Sequence, residues 1–353
     1  MNVLIFGGTG AMGVHLVSNL ALRGGNCVVT SRRHQINRNN VEYVVGDAHN
    51  KNFIKSLFVS HKFDAIVDFM KYSTKDFEDR INFLLSNTKQ YVYLSSSRVY
   101  AESKEPLTED SPLLLDVCSD MGYLQTDEYA LAKARQERIL RESGKKNWTI
   151  IRPYITFSEQ RLQLTALEKE SWLYRALKGR TIVLPKDLLE RTTTLTYGFD
   201  VANSIASIIG KESAYGEIFH ITNNTSYKWQ DILSVYLNII EKYTGVSPQV
   251  KILETWMSFM GGNKYQVKWD RSYDRKFDNK KINEYIDTSS FKDTLLALSD
   301  CLESFIKDPQ FKRINWRNEA LKDKITGEWT NMMEISGLKN KMLYFLIRLG
   351  IHK

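Results

Sequence analysis

Residues 2–13, "NVLIFGGTGAMG", decide the fold class of this chain. A short apolar run typical of a buried β-strand leads into a glycine-rich turn, and the chain continues as "VHLVSNLALRGG", with helical spacing and a glycine stop. Glycine lets the backbone turn tightly, approach a phosphate without an intervening Cβ, and pack the helix closely against the strand. We therefore predict that this turn binds the pyrophosphate of a dinucleotide at the helix N-terminus, through Gly7, Gly10, Ala11, Met12 and Gly13.

The apolar runs after this turn predict a parallel β-sheet. They are "CVVT" (27–30), "VEYVV" (41–45), "DAIVDF" (64–69), "QYVYLS" (90–95), "WTIIRP" (148–153) and "GEIFHIT" (216–222), with helix-like segments in most gaps. Strands that alternate with helices form right-handed crossovers and a parallel sheet covered on both faces. The fold class is therefore α/β, with a Rossmann-type doubly wound parallel sheet.

The alternation loosens after Pro153, which predicts a second, smaller lobe. Residues 156–180 are predicted to form a helix rich in Leu and Glu, and the chain from Trp229 onward is mostly amphipathic helix. The predicted domains are an NADP-binding Rossmann domain and a mostly helical substrate-binding lobe. The first comprises residues 1–155, completed by 191–225, and the second comprises residues 156–190 and 226–353 with a basic amphipathic tail.

The end of the second strand, "TSRR", indicates which dinucleotide the chain prefers. An acidic residue here would bind the ribose hydroxyls of NAD, whereas Ser31, Arg32 and Arg33 offer a hydroxyl and two cations to a 2′-phosphate. NADP is therefore predicted over NAD, although both arginines could instead point into solvent. Asp47, after the third strand, is predicted to accept a hydrogen bond from the adenine amino group.

Tyr129 and Lys133, in "EYALAK", are candidates for proton transfer. Helical periodicity places them one turn apart on the same face. A free tyrosine has a pKa of about 10, and a nearby cation lowers that value by favouring the phenolate. Lys133 would supply this charge and also hold the nicotinamide ribose. By itself the spacing is common and carries little weight.

Serines at the end of the fifth strand add a third element to this candidate site. Ser95, Ser96 and Ser97 lie where ligands bind in open α/β sheets. A hydroxyl at this edge can donate to a substrate oxygen while the tyrosine transfers its proton. Such serines are also common turn formers, so their weight comes from their order relative to the glycine turn and Tyr129.

Seven short motifs in order resemble the extended short-chain dehydrogenase/reductase family, which contains the NAD(P)-dependent nucleotide-sugar epimerases, dehydratases and reductases. They are "GGTGAMG", "GDA", "YLSSSRVYA", "YALAK", "IIRP", "YGFDVANSI" and "GEIFHI". The late "FDNKKI" is similar to the family's C-terminal lobe, and the resemblance extends from Met1 to Phe305.

The resemblance implies an enzyme with a Tyr/Lys/Ser site. The family's catalytic hydroxyl lies four positions before the tyrosine of its "VYG" motif, which selects Ser96 before Tyr100, with Ser97 as the second choice. Tyr129 would be the general acid/base and Lys133 its tuning cation. The predicted activity is NADP-dependent reduction of a keto-sugar carried on a nucleotide, and the alternative is nucleotide-sugar epimerisation by the same chemistry.

Departures from the family pattern narrow this expectation. Dehydratases of the family carry an acidic residue or pair just after the catalytic hydroxyl, and this chain has Ser97 and Arg98 there, which argues against a 4,6-dehydratase. Phe69 and Met70 replace the small residues that usually pass under the cofactor. Four arginines of the later part of the chain are candidates for the substrate diphosphate: Arg180, Arg191, Arg271 and Arg275.

Composition excludes several other classes of protein. Three distant cysteines argue against a disulfide framework, and six histidines without metal-ligand spacing predict no catalytic metal. The expected location of the protein follows from two further features of the sequence. The N-terminus lacks a secretory leader pattern, and no apolar run is long enough to span a bilayer. We therefore expect a cytoplasmic protein. We also expect a homodimer. The formal charge of +8 would suit an acidic partner.

Two further segments suggest partners other than a small molecule. Residues 264–281, "KYQVKWDRSYDRKFDNKK", mix basic and aromatic residues, so a non-catalytic RNA-binding relative is the alternative from another class. The interspersed acids and the retained Tyr129 and Lys133 argue against nucleic acid. Residues 337–353, "GLKNKMLYFLIRLGIHK", combine an apolar core with flanking cations, which suggests peripheral contact with an anionic membrane or packing against protein.

Overall fold

The computed structural model describes residues 1–258 and 264–351. The chain forms two compact units, which we describe separately. The first comprises residues 1–158, 194–226 and 275–294, and the second comprises residues 159–193, 227–274 and 295–353.

Fifteen strands and fourteen α-helices make up the described part of the chain. The strands are β1 (Asn2–Phe6), β2 (Asn26–Ser31), β3 (Val41–Val45), β4 (Phe63–Asp68), β5 (Thr88–Leu94), β6 (Trp148–Pro153), β7 (Thr156–Phe157), β8 (Gln163–Leu164), β9 (Leu167–Glu168), β10 (Ile182–Pro185), β11 (Thr192–Thr193), β12 (Thr196–Tyr197), β13 (Glu217–Ile221), β14 (Tyr227–Lys228) and β15 (Val250–Leu253). The helices are α1 (Gly13–Leu22), α2 (Lys51–Ser60), α3 (Thr74–Ser86), α4 (Leu114–Val117), α5 (Met121–Leu124), α6 (Tyr129–Glu142), α7 (Leu173–Leu177), α8 (Lys186–Leu189), α9 (Gly198–Ile208), α10 (Trp229–Thr244), α11 (Lys264–Gln266), α12 (Thr294–Lys307), α13 (Trp316–Thr326) and α14 (Leu338–Arg348).

A seven-stranded parallel sheet forms the centre of the first unit. Its strand order is β13-β6-β5-β4-β1-β2-β3, and every neighbouring pair is parallel. The order reverses between β1 and β4, which is the switch point where open α/β sheets bind their ligands. The predicted Rossmann-type doubly wound sheet is therefore confirmed.

Alternation along β1 explains why both faces of the sheet are covered. Val3 and Ile5 pack into one core, with α1 and α9, while Leu4 and Phe6 pack into the opposite core, with α2, α3 and α6. Successive side chains of a strand point to opposite faces, so a continuous apolar run is buried on both sides.

Residues 275–294 belong to the first unit, whereas the sequence assigned them to the second lobe. Ile282 and Phe291 are buried in the core of the first unit, and the Arg275 guanidinium donates to the carbonyls of Tyr100 at 3.0 Å and Ala101 at 2.8 Å. These long-range contacts leave no local sequence signal, so the boundary could not be found from the pattern.

The helix predicted over residues 156–180 is wrong. The segment within the second unit forms a β8–β9 hairpin instead, and only α7 is helical. Leu162 and Leu164 are fully buried on either side of Gln163, and Thr165 has a φ of +54°. Gln163 and Thr165 are buried as well, so burial shows no helical period here, and the left-handed Thr165 turns the chain where a helix would have to continue.

The second unit contains the predicted C-terminal helices, α10 and α13–α14 among them. Its end is a helical pair whose core joins Tyr174, Trp316, Ala320, Tyr344 and Ile347. Within the described residues, no helix has the length and apolarity needed to cross a membrane.

Candidate active site

The glycine turn between β1 and α1 is shaped by three different constraints. Gly7 has a φ of +71°, a conformation that residues with a side chain rarely adopt. A Cβ on Gly13 would lie 2.6 Å from the backbone of Gly8, and a Cβ on Gly8 would lie 2.7 Å from Val29 Cγ1. At Gly10, by contrast, a Cβ would meet only the Gly7 carbonyl oxygen at 3.7 Å.

Gly10 thus has space around it that the protein itself leaves open. It is exposed, and α1 has no side-chain cap at its N-terminus. A bare, exposed backbone at the start of a helix fits the diphosphate of a dinucleotide. The packing role of Gly8 was not recognised in the sequence, since it depends on contacts made in the folded protein, with Val29 of β2 and Ile5 of β1.

Two glycine substitutions separate packing from ligand binding. We expect Gly13→Ala to lower the free energy of unfolding by about 1–3 kcal/mol, because its methyl group overlaps the Gly8 backbone. Gly10→Ala should leave stability unchanged but weaken dinucleotide binding roughly tenfold, or about 1.4 kcal/mol. Urea denaturation and calorimetric titration measure the two effects. Unchanged dinucleotide affinity in Gly10→Ala would show that the turn does not contact the ligand.

The three residues predicted to select the coenzyme differ in their surroundings. Ser31 is buried, and its hydroxyl donates to the Arg33 carbonyl at 2.7 Å. Arg32 and Arg33 are exposed, and neither forms an ion pair with another described residue. Asp47 is also exposed, and its carboxylate accepts from the His49 N–H at 2.9 Å. The two guanidinium groups are thus accessible to a phosphate, while Ser31 shapes the turn that carries them.

Tyr129 is the first residue of α6, and three cations lie within 6 Å of the centroid of its ring. The distances to the ring centroid are 5.9 Å from Lys133 Nζ, 5.5 Å from Lys71 Nζ and 5.2 Å from Arg98 Cζ. The sequence predicted the first of these and missed the other two. Positive charge close to a tyrosine favours its phenolate form.

Glu128 organises the N-terminus of α6 around Tyr129. Its carboxylate accepts from the Ala130 N–H at 2.9 Å and so caps the helix. The same carboxylate binds Arg98 at 2.7 Å and accepts from the Tyr123 hydroxyl at 3.1 Å. Arg98 is therefore held beside the Tyr129 ring by a cap residue that directly precedes the ring in sequence.

Lys133 lies at the carboxyl edge of the sheet. Its ammonium donates to the Leu94 carbonyl at the end of β5, at 2.6 Å, and to the Met70 carbonyl after β4, at 3.3 Å. Its side chain is buried, and burial lowers the pKa of Lys133 to about 8 even though Asp68 and Glu137 oppose that shift. The ammonium is therefore mostly charged at neutral pH and loses its proton as the pH rises above that range.

The structure distinguishes the three serines after β5. The Ser95 hydroxyl donates to Glu137 at 2.5 Å, and the Ser97 hydroxyl donates to the Arg152 carbonyl at 2.8 Å. Ser96 Oγ accepts from the Arg98 N–H at 3.2 Å, and no described residue accepts its proton. Of the three, Ser96 has a hydroxyl hydrogen that remains available for a ligand, which favours it over Ser97.

A buried network of hydrogen bonds centred on Asp68 stabilises the carboxyl end of β4. Asp68, at the end of β4, accepts from the Tyr91 hydroxyl at 2.8 Å, from the Tyr72 hydroxyl at 3.1 Å and from the Met70 N–H at 2.9 Å. Burial raises the pKa of Asp68. The carboxyl group therefore fixes the turn whose Met70 carbonyl receives Lys133.

A second buried contact ties α6 to β6. Arg152 binds the Glu137 carboxylate through Nη2 at 2.6 Å and through Nε at 3.0 Å, and both side chains are almost fully buried. Burial opposes the charge, but Glu137 raises the pKa of the Arg152 guanidinium. Because Glu137 lies one turn after Lys133 on α6, this pair sets the position of the helix on the sheet.

The structure also locates the bulky residues expected under the cofactor and the arginines proposed for the diphosphate. Phe69 and Met70 pack against Gly7, where a Cβ would lie 3.4 and 3.3 Å from them. Three of the four arginines proposed for the diphosphate are buried and engaged: Arg180 binds Glu334, Arg271 binds Asp270, and Arg275 donates to backbone carbonyls. In the described part of the chain, no cluster of His, Cys, Asp and Glu is arranged to hold a metal ion.

Comparison with known families gives a match over most of the first unit. The model described as "NAD dependent epimerase/dehydratase family" matches residues 3–222. The match covers β1 through β13, and with them the glycine turn, the serines after β5 and α6.

Two curated relatives illustrate the range of similar proteins. The chain is 27% identical over 181 residues to the chloroplast stem-loop binding protein of 41 kDa b of Arabidopsis thaliana, covering 51% of this chain and 43% of the relative. It is 27% identical over 135 residues to UDP-glucose 4-epimerase of Lactobacillus helveticus, covering 32% of this chain and 41% of the relative. In both cases the match spans less than half of the relative's length.

A solved structure resembles the chain over nearly its whole length. UDP-glucuronic acid 4-epimerase from Bacillus cereus in complex with NAD superposes with a TM-score of 0.64 at 16% identity, covering 93% of this chain and 99% of that one. At this identity the likeness shows a shared fold.

Proposed function

We propose, from the premise that this chain belongs to the NAD dependent epimerase/dehydratase family, that it interconverts epimers of a nucleotide sugar. The family assignment agrees with the extended short-chain dehydrogenase/reductase motifs of the sequence. One observation carries the proposal. Three cations lie 5.2–5.9 Å from the centroid of the Tyr129 ring, and the Lys133 ammonium donates to the carbonyls that end β5 and follow β4.

The residues of the site divide the proton chemistry among them. Tyr129 takes the proton from a sugar hydroxyl as that carbon is oxidised, and returns it when the carbon is reduced. The cations around its ring stabilise the phenolate that accepts the proton. The Ser96 hydroxyl donates to the same sugar oxygen and steadies the charge that develops on it.

A bound dinucleotide would supply hydride transfer to and from the sugar carbon. The open backbone at Gly10 and the start of α1 would hold its diphosphate, and Lys133 would hold the nicotinamide ribose. Asp47 and the pair Arg32 and Arg33 would contact its adenosine half. The exposed Gly10 backbone is the structural observation that fits this group.

The Tyr129, Lys133 and Ser96 site would serve either epimerisation or net reduction, so other observations must distinguish the two reactions. The sequence favoured reduction, because Arg32 and Arg33 indicate NADP. Similarity to UDP-glucose 4-epimerases supports epimerisation, in which oxidation and reduction of one carbon leave the dinucleotide unchanged. Ser97 and Arg98 replace the acidic pair of a dehydratase. We therefore propose epimerisation of a uridine diphosphate hexose, with net reduction as the competing outcome.

The test of this function is a product assay with purified protein. Uridine diphosphate hexoses are incubated with catalytic amounts of protein and dinucleotide, and the sugar products are followed by proton NMR. An epimer that accumulates without net oxidation of NADH or NADPH supports the proposal. In a parallel assay with excess NADPH and a keto-sugar nucleotide, stoichiometric consumption of NADPH identifies a reductase instead. Absence of both reactions across the hexose panel contradicts the proposal.

The buried position of Lys133 predicts an alkaline limit to activity. Since burial lowers the pKa of Lys133 to about 8, the ammonium is lost as the pH rises through that value. We expect kcat/KM to fall about tenfold per pH unit above it.

Stability provides the control for this pH dependence. The folded pKa of Lys133 lies below its ordinary value of 10.5, so between pH 8 and 10.5 the unfolded chain binds more protons at this site. The contribution of Lys133 to stability therefore rises over the window in which activity falls. A kcat/KM that stays flat to the upper end of that window would contradict a role for the ammonium.

The coenzyme preference is tested at Arg32 and Arg33. We expect wild-type protein to bind NADP more tightly than NAD, and the double variant Arg32→Ala/Arg33→Ala to lose about tenfold in NADP affinity with NAD affinity unchanged. Because both side chains are exposed, stability should be unaffected. Tighter binding of NAD by the wild type would make the NADP prediction wrong.

A second candidate function is binding of stem-loop RNA. It is favoured by the similarity to the chloroplast stem-loop binding protein. The basic and aromatic segment 264–281 supports it weakly, since Arg271 binds Asp270 and Arg275 donates to backbone carbonyls. Fluorescence anisotropy with a labelled stem-loop RNA at physiological salt separates the candidates. Specific binding tighter than the non-specific range of about 10⁻⁴–10⁻⁶ M would favour the RNA function.

A further inference from the structure

The last helix, α14, has an apolar stripe on its exposed side. Leu338 is 82% exposed, Met342 62%, Phe345 46% and Leu349 48%. Their spacings of four, three and four residues place them along one face of the helix. We call these four residues the α14 stripe. Apolar residues at helical spacing normally face a core, so a stripe that faces outward needs a partner.

The opposite side of α14 fixes the helix to the second unit. Tyr344 and Ile347 are buried, and the Tyr344 hydroxyl donates to Asp323 at 2.5 Å while accepting from the Thr330 N–H at 2.7 Å. Arg348 Nε donates to the Glu328 carbonyl at 2.9 Å. Rotation of the helix to bury the stripe would break these contacts, so its outward position is built into the fold.

Positive charge flanks the stripe on both sides. At 100° per residue, Lys339 lies on one border and Lys341 and Arg348 lie on the other. Residues 337–353 contain no Asp or Glu. The terminal Lys353, also predicted as a flanking cation, lies outside the described residues. A narrow apolar face between two rows of cations is the pattern of a helix that lies in the interface of an anionic bilayer.

An aromatic side chain extends the same surface. Trp329 is 50% exposed, its ring lies 6.0 Å from that of Phe345, and the Arg348 guanidinium lies 4.5 Å above it. Tryptophan is enriched at the level of lipid headgroups, because its ring is largely apolar and carries one N–H donor. Met333, in the same loop, is 90% exposed.

We propose that the α14 stripe and Trp329 dock the protein peripherally on an anionic membrane surface. The apolar side chains enter the headgroup boundary while Lys339, Lys341 and Arg348 contact anionic headgroups. Pairing with a second copy is the less suitable occupant, because an isologous contact would bring both sets of cations together with no acidic residue on either helix to offset them. This inference does not depend on the proposed epimerase activity.

Flotation of the full chain with lipid vesicles tests the proposal. We expect binding to vesicles of phosphatidylcholine with phosphatidylglycerol, and at least about tenfold weaker binding to phosphatidylcholine alone. Met342→Glu/Phe345→Glu should abolish binding without changing thermal unfolding, because both side chains are exposed. Leu22→Glu/Val59→Glu is the matched control, since these helical residues of the first unit are 86% and 89% exposed and the charge change is equal. The control should bind as the wild type does.

A second variant measures the electrostatic contribution to vesicle binding separately from the apolar contribution. Lys339→Gln/Lys341→Gln should weaken binding to the anionic vesicles about tenfold while leaving the weak binding to neutral vesicles unchanged. Sedimentation velocity of the same proteins reports on pairing between copies. The proposal is overturned if wild-type protein does not float with anionic vesicles, if the stripe variant floats as well as the control, or if the stripe variant converts a dimer to a monomer.

Discussion

Tyr129→Phe should reduce kcat by roughly 10²–10⁴-fold, because it removes the hydroxyl that we propose exchanges a proton with the substrate hydroxyl. The phenylalanine ring keeps the packing among Lys133, Lys71 and Arg98, which contact the ring itself. We therefore expect dinucleotide affinity and thermal stability to stay close to those of the wild type. Steady-state turnover and calorimetric titration with the dinucleotide measure the two quantities on the same preparation.

Tyr123→Phe is the matched control for this substitution. Tyr123 is buried near the same helix terminus, and its hydroxyl donates to Glu128 at 3.1 Å. Loss of that hydrogen bond should cost about 0.5–1.5 kcal/mol of stability while the chemistry of Tyr129 remains intact. If Tyr129→Phe retained at least half of the wild-type kcat, or if Tyr123→Phe lost as much activity, the role assigned to Tyr129 would be incorrect.

Arg152→Met should produce the largest loss of stability, about 3–5 kcal/mol, because it leaves the Glu137 carboxylate buried without its partner. Ser95 would remain as a donor to Glu137, but one hydroxyl does not replace two guanidinium contacts. The double variant Arg152→Met/Glu137→Met should recover most of the loss, because both charges are then removed from the interior. Urea denaturation of the three proteins gives the values.

The control for the Arg152–Glu137 pair is an exposed ion pair made by Arg138, the residue after Glu137 on α6. Arg138 binds Asp116 at 2.6 Å, but the two side chains are 45% and 48% exposed. Arg138→Met should therefore cost only ~0–1 kcal/mol. Equal losses in Arg152→Met and Arg138→Met would show that Glu137 and Arg152 do not fix the position of α6.

The parts of the fold that were predictable from sequence are those specified by local pattern. The run at residues 2–6 and the turn that follows imply a strand, a glycine turn and a helix, because strand period, glycine conformation and helix period are all short-range properties. The hairpin at 163–168 was missed since its two strands are very short. The membership of 275–294 in the first unit depends on contacts with residues more than a hundred positions earlier, which no local pattern encodes.

The same distinction holds for the candidate site. Tyr129 and Lys133 were proposed because one helical turn separates them and because they follow the glycine turn and the serines in order. Ser96 was proposed because the family resemblance places the catalytic hydroxyl four positions before Tyr100. The cations Lys71 and Arg98 reach the Tyr129 ring from other segments of the chain. Their proximity to the ring is therefore visible in the structure but not in the sequence. Four arginines looked suitable for a diphosphate, but sequence does not reveal burial, and three of them are engaged inside the protein.

The most direct measurement is a crystal structure of the protein with UDP-glucose and the dinucleotide that it binds more tightly, which we expect to be NADP. We expect Tyr129 Oη and Ser96 Oγ to lie within about 3.2 Å of the same sugar oxygen, with Lys133 Nζ on the nicotinamide ribose. A sugar bound away from both hydroxyls, or a dinucleotide that does not touch the Gly10 backbone, would contradict the proposed active site.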